Sequence, residues 1–354
     1  MEFLYEYGTF LAKAATIVVA ILVVLAAIAG LSGRTRRQSH QGHVEVRSLN
    51  DKLRGMRQAL ESTVLPKEIY KHRHKQEKQA RKEEAKQNKK RAKQAEPVED
   101  EQKRRLFVLD FEGDIRASRV ESLRDAVTAV LGIVRANDEV VVRLESPGGM
   151  VHSYGLAASQ LQRIKDRGVP LTVCVDKVAA SGGYMMACIA DRILAAPFAV
   201  IGSIGVVAQV PNLHRLLKKH DVDYEVFTAG EYKRTMTIFG ENTEKGREKF
   251  KQDLEDTHVL FKEFVGEHRP VVNIEEVANG DVWYGRRALE QKLVDELMTS
   301  DEYLSRACDD SDVYLVNYVE RKSLQERFGM AAALTADRLL LRVWERAQDI
   351  RLWK

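Results

Sequence analysis

The chain has 354 residues, 31% charged and 44% apolar, which excludes wholesale disorder and allows material for two or three domains. Its net charge is only +4, yet residues 71–94 alone hold 11 Lys and Arg against 3 Glu, so a uniformly basic nucleic-acid binder is excluded. Three cysteines, Cys174, Cys188 and Cys308, form no CxxC pair, which excludes a disulfide framework and a Cys-rich zinc site. Cys174 and Cys188 lie in apolar surroundings and read as buried small hydrophobes.

Residues 14–31 form an 18-residue stretch without a charge. At about 1.5 Å per residue, such a helix approaches the ~30 Å of a bilayer core. Ala27-Ile28-Ala29 offers the small-x-small pattern of a cleavable signal. Against it, Glu2 and Glu6 precede the stretch with no Lys or Arg before Lys13, and the apolar run exceeds a signal core of about 7–15 residues. The expectation is a single uncleaved N-terminal transmembrane helix within residues 1–31. Seven Lys and Arg lie between Arg34 and Arg57, against none in the first twelve residues. The positive-inside rule therefore puts the chain that follows the stretch in the cytoplasm.

Residues 32–105 are dominated by Lys, Arg, Glu, Gln and Ala. Glu77 with Arg81, and Glu83 with Gln87, have the i,i+4 spacing that supports an isolated helix. No apolar stripe runs through 71–93, so the expectation is a solvated, basic helical spacer. A polybasic segment near a membrane also suits anionic lipid headgroups. No aromatic residue interleaves the charges between Tyr70 and Phe107, so no nucleic-acid partner is expected.

The expected globular domain, 106–300, alternates strand and helix. LFVLDF (106–111) and EVVVRL (139–144) are strand-like. Between them, Leu123, Val127, Val130 and Val134 give 119–136 a helical period. Residues 151–164 read as helix and VPLTVCV (169–175) as a buried strand. This β-α-β order calls for an α/β fold with a parallel sheet. Further strands are expected at 192–195 and 223–227, and a long amphipathic helix at 243–265. Residues 301–354 are expected to form a C-terminal helical extension.

Two glycine-bearing turns each follow a strand: Ser146-Pro147-Gly148-Gly149, and Ser181-Gly182-Gly183 within KVAASGGYMMA. In a parallel sheet both fall at strand carboxyl ends, where active sites of open α/β sheets lie. A serine at such a turn exposes its hydroxyl beside converging backbone N–H groups, the geometry of a nucleophile with an oxyanion hole. A serine needs a base, and His or a neutral Lys can serve. No His occurs between Ser181 and His214, and His214 and His220 read as solvated on a polar helix, which argues against Ser-His-Asp. A lysine of ordinary pKa ~10.4 is only about 0.04% neutral at pH 7, so a lysine base must be desolvated by about 4 kcal/mol. Lys177 is one candidate, although it points into the strand-turn geometry rather than at Ser181. Lys233, two residues after Gly230-Glu231, is another, and by position alone it reads as one of many exposed lysines.

SPGG, KVAASGGYMMA, Gly202-Ser203-Ile204-Gly205-Val206 and Gly230-Glu231-Tyr232-Lys233, in this order, resemble the signal peptide peptidase A family of serine peptidases. The resemblance covers 106–297, including Val282-Trp283-Tyr284-Gly285 and Leu293-Val294-Asp295. It implies a ClpP/crotonase-like fold and a Ser–Lys dyad. Ser181 would be the nucleophile, Lys233 the general base and Ser203 a hydrogen-bond partner of the Lys. Gly149 and Gly182 would supply the oxyanion-hole N–H groups. In the family the Lys is commonly followed by Gly-Ser/Ala-Pro, whereas Arg234-Thr235-Met236-Thr237 stands here. The resemblance further implies a membrane-anchored endopeptidase of the bacterial inner membrane, cutting short apolar peptides or membrane-protein fragments. It also implies a homo-oligomeric ring in which the Lys reaches the Ser of the adjacent subunit. Better-known members work on the outer side of that membrane, opposite to the charge pattern. A crotonase-like acyl-CoA enzyme and a catalytically silent membrane scaffold are the alternatives. Neither HExxH nor GxGxxG occurs, so no metal and no nucleotide cofactor is expected.

Overall fold

The computed structural model describes residues 42–93 and 103–319, with Lys13 and Thr16 upstream. The anchor expected at 14–31, Thr16 apart, lies outside the described residues, as does the part of the C-terminal extension beyond Val319. Among the described residues no helix is long and apolar enough to cross a membrane. The chain divides into two compact units, 1–43 with 319–354, and 44–318. The second carries every element that positions the candidate site.

Its main sheet has seven strands in the order β1-β10-β2-β3-β4-β6-β9. These are β1 (His43–Ser48), β2 (Arg105–Glu112), β3 (Glu139–Glu145), β4 (Leu171–Val175), β6 (Arg192–Ala195), β9 (Glu296–Leu297) and β10 (Asp312–Val319). Every pairing from β10 to β9 is parallel. A parallel sheet is covered on both faces, which is why β2 to β4 read as nearly continuous apolar runs. The pleat sends Phe107, Leu109, Phe111, Val140, Val142, Leu171 and Val173 to one face. There α3 (Val120–Leu131), α4 (Val151–Asp166), α5 (Gly182–Ala187) and the end of α7 (Glu244–His268) cover them. Leu106, Val108, Val141, Cys174 and Leu194 point the other way, onto Leu49 at the start of α1 (Leu49–Val64) and Leu304 of α10 (Ser300–Asp310). A second sheet holds β5 (Val178–Ala180), β7 (Val200–Gly202) and β8 (Val282–Tyr284), with β5 parallel and β8 antiparallel to β7.

The α/β reading and its parallel sheet therefore stand, and several boundaries move. The helix expected over 119–136 stops at Leu131. Gly132 caps it, and the Asp138 carboxylate then accepts the Arg135 N–H at 2.8 Å and pairs with Arg105 at 2.5 Å, turning the chain into β3. No strand forms at 223–227. Val222, Tyr224 and Val226 alternate, but no strand is beside them to pair with, and all three are exposed. Apart from the short α6 (His214–Lys219), 203–243 has no regular structure. The basic helix of the spacer is present as α2 (Lys67–Lys93). Composition did not disclose that the same region supplies β1 and α1. Similarly, 301–319 is not a separate helical extension: after α10, β10 enters the sheet between β1 and β2.

Candidate active site

Ser181 stands between β5 and α5 with φ 51° and ψ −119°, a sparsely populated conformation that costs about 1–3 kcal/mol and persists only where surroundings enforce it. The enforcement is visible. Its N–H donates to the Gly202 carbonyl at 2.7 Å, and the preceding Ala180 N–H donates to the Ser146 carbonyl at 3.0 Å. Every residue of α5 is buried, so the elbow cannot slide, while Ser181 itself stays half-buried and reachable.

The two glycine turns meet here. Ser146 bridges Ala179 in parallel, and Gly148 lies against the elbow: a Cβ on it would stand 2.7 Å from the Ser181 Cβ and from the Ala180 oxygen. Among the described residues the N–H groups of Gly149 and Gly182 make no hydrogen bond. Gly182, as first residue of α5, has no intrahelical acceptor. Two uncommitted N–H donors on the turns that flank a reachable hydroxyl can hold a developing oxyanion. Ser203 is brought alongside by the register Ala180↔Gly202 of the parallel β5 and β7. It too has positive φ, 50°, and its N–H donates to the Asp281 carbonyl at 2.7 Å.

Lys233 is not brought to this cluster within one copy of the chain. It is exposed on the irregular 220–243 segment, and its backbone N–H donates to Gly230 O at 3.2 Å. Among the described residues its side chain hydrogen-bonds neither Ser181 nor Ser203. Lys177, the weaker candidate, is committed elsewhere: its ammonium donates to both Glu145 oxygens, at 2.8 and 3.0 Å. That hydrogen bond, and then the Glu145 charge, hold its pKa above the ordinary lysine value, the wrong direction for a base. His220 is exposed beyond α6, and neither it nor His214 bonds Ser181. Burial pushes the Cys174 and Cys188 thiols up to about 12, as inert core residues require.

Two aromatic residues border the site: Tyr154, which the sequence did not single out, and Trp283, which entered only within the resembling Val282-Trp283-Tyr284-Gly285 motif. Tyr154 of α4 is fully buried, its ring under Gly182 and its hydroxyl 2.5 Å from Ser146 Oγ. Trp283 of β8 lies against Gly202, and its indole N–H is buried without a partner among the described residues.

Residues 2–161 match the peptidase family S49 N-terminal domain, and 163–314 match peptidase family S49. The curated "Probable protease SohB" of Haemophilus influenzae is 50% identical over 341 residues, 96% of each chain. This chain belongs to peptidase family S49. Two further S49 relatives bear the same name in Buchnera aphidicola. One, from the Acyrthosiphon pisum subspecies, is 52% identical and covers 68% of this chain and 72% of its own. The other, from Schlechtendalia chinensis, is 59% identical and covers 56% and 65%. The S49 chain is thus a peptidase, which sets aside the acyl-CoA alternative.

Proposed function

We propose that this S49 peptidase is a serine-type endopeptidase in which Ser181 is the nucleophile and Lys233 the general base. The carrying observation is the strained Ser181 elbow in contact with Gly148, flanked by the uncommitted N–H groups of Gly149 and Gly182. In the first step neutral Lys233 takes the hydroxyl proton as Ser181 Oγ attacks the scissile carbonyl. Gly149 and Gly182 then hold the oxyanion of the tetrahedral intermediate. Collapse breaks the C–N bond, and Lys233 returns the proton to the leaving amine. A water deprotonated by Lys233 hydrolyses the acyl-enzyme and regenerates Ser181. Ser203, beside Ser181, would hydrogen-bond the Lys.

The same reading takes the fold as ClpP/crotonase-like and 14–31 as an anchor in a bacterial inner membrane. The body faces the cytoplasm, α2 meets anionic headgroups, and short apolar peptides or membrane-protein fragments are cut. Because Lys233 is exposed in one copy and a lysine base must be desolvated, a second copy is taken to cover it. Full-length wild type, Ser181→Ala and Lys233→Ala would be compared for fluorogenic-peptide hydrolysis and fluorophosphonate labelling. Both variants are expected to lose hydrolysis, and Ser181→Ala to lose labelling. Retained hydrolysis in Ser181→Ala would remove the serine mechanism, and in Lys233→Ala would move the base elsewhere.

A further inference from the structure

Ser146 and Tyr154 form a fully buried polar pair under the site, and the proposed peptide-bond chemistry uses neither side chain. Their hydrogen bonds have one consistent direction. The Tyr154 hydroxyl donates to the Asp114 carbonyl at 2.7 Å, which spends its only proton. Ser146 Oγ, 2.5 Å away, must therefore donate to Tyr154 Oη. The Ser146 oxygen is left as acceptor for the Gly148 N–H, at 3.1 Å. A single chain runs from the Gly148 N–H through Ser146 and Tyr154 to Asp114, with every polar atom of the pair satisfied.

The pair meets the candidate oxyanion site directly at Gly182 and reaches Gly149 through its neighbours Gly148 and the Asp114–Ile115 loop. Ser146 carries Ala180 on its carbonyl, one residue before Ser181, and Gly148 on its hydroxyl. The Tyr154 ring lies against Gly182. Asp114 opens the loop that continues to Ile115, whose carbonyl accepts the Met150 N–H at 2.8 Å, so the loop clamps Gly149 from its far side. The Asp114 carboxylate closes that loop on the Arg116 and Ser118 N–H groups, at 3.1 and 2.8 Å.

We propose that Tyr154, acting through Ser146, is the positioning residue that holds the Gly149 N–H on the oxyanion. This rests on the reading of Ser181 as nucleophile and of Gly149 as an oxyanion donor. Phenylalanine at 154 would keep the ring under Gly182 and break only the hydrogen-bond chain. A displacement of about 1 Å at a reacting site lowers rate by up to about 100-fold. Full-length Tyr154→Phe is therefore expected to lose between about 10- and 100-fold in kcat per titrated site, with KM of a fluorogenic apolar peptide held within about twofold. Affinity for a peptide boronic acid, which needs the tetrahedral oxyanion, should fall in step with kcat. Ser146→Ala should reproduce the loss, Ser146→Thr should restore it, and the double variant Tyr154→Phe with Ser146→Ala should be no worse than either single.

Ser181→Ala runs alongside as the test of the underlying reading: if it still hydrolyses, that reading fails. With Ser181→Ala inactive, unchanged kcat per titrated site in both Tyr154→Phe and Ser146→Ala would overturn the positioning role, whatever their melting temperatures. So would a loss expressed in KM alone. Should Tyr154→Phe not fold, Ser146→Ala and its threonine rescue decide on the same readouts.

Discussion

Gly148 and Gly168 both hold positive φ, 90° and 71°, so alanine at either is strained by about 1 kcal/mol. Space separates them. Gly168, just past the end of α4, has nothing within 4 Å of an added Cβ, whereas Gly148 would push against Ala180 O, Ser181 Cβ and Gly182 N at 2.7–2.8 Å. Two of these are backbone atoms in an elbow locked by the buried α5, so the elbow itself must shift. Gly168→Ala is expected to lose about 1 kcal/mol in urea unfolding and no activity. Gly148→Ala should lose about 3 kcal/mol, strain and overpacking together, and nearly all peptide hydrolysis. A fully active Gly148→Ala enzyme would show that this turn does not bear on the reacting serine. At this scale the turn at Ser181 was legible because glycines directly after apolar strands punctuate a sequence, whereas its assignment as nucleophile came only from the family resemblance. Tyr154 was not legible, because one aromatic on an amphipathic helix reads as core. Only its contact with Ser146, eight residues away, gives it a polar task.

Elements announced themselves where they bury a periodic face. The strands β2, β3 and β4 and the helices α4 and α7 did so, and α7 even shows its Thr243 cap, which accepts the Gly246 N–H. By contrast, α1 has no buried residue, so composition could only present it as spacer. Besides the packing of Leu49, polar contacts hold it. The Asn50 amide donates to the carbonyls of Cys308 and Ser311, at 3.0 and 2.9 Å, and its oxygen accepts the Val313 N–H at 2.8 Å. One side chain thus fastens α1 to the turn between α10 and β10. No periodicity reveals such a tie. Asn50→Leu would strand one donor and two acceptors, with an expected loss of about 2 kcal/mol. In hydrogen exchange, α1 and the start of β10 should lose protection while β3 and β4 keep theirs. Unchanged protection of α1 would place its attachment at Leu49 instead.

At the scale of the whole molecule, the proposed chemistry lacks one participant within a single chain. Ser181 lies against Gly148 and Gly202, and Lys233 stays exposed on the 203–243 segment, which also exposes Val207, Phe227 and Tyr232 at 82%, 90% and 49%. A monomer gains nothing from apolar side chains so exposed beside a lysine that must lose its water to act. Covering that segment with the Ser181 face of a second copy would bury both, and repeating the contact around a closed ring would satisfy every subunit. That Lys233 would serve another copy is implied by family resemblance alone, because spacing along a chain does not say which copy a side chain serves. Shared sites of this kind can be rebuilt from defective subunits. Ser181→Ala and Lys233→Ala subunits, each inactive alone, should regain activity when unfolded and refolded together. Random mixing pairs an intact Ser181 with an intact Lys233 at about one quarter of interfaces, so recovery should approach a quarter of wild type. Particles pulled down through a tag on one variant and detected through a tag on the other would verify mixing. Mixed particles that stay inactive would mean that each chain must bring its own Lys233 to its own Ser181, by refolding the 203–243 segment rather than by assembly.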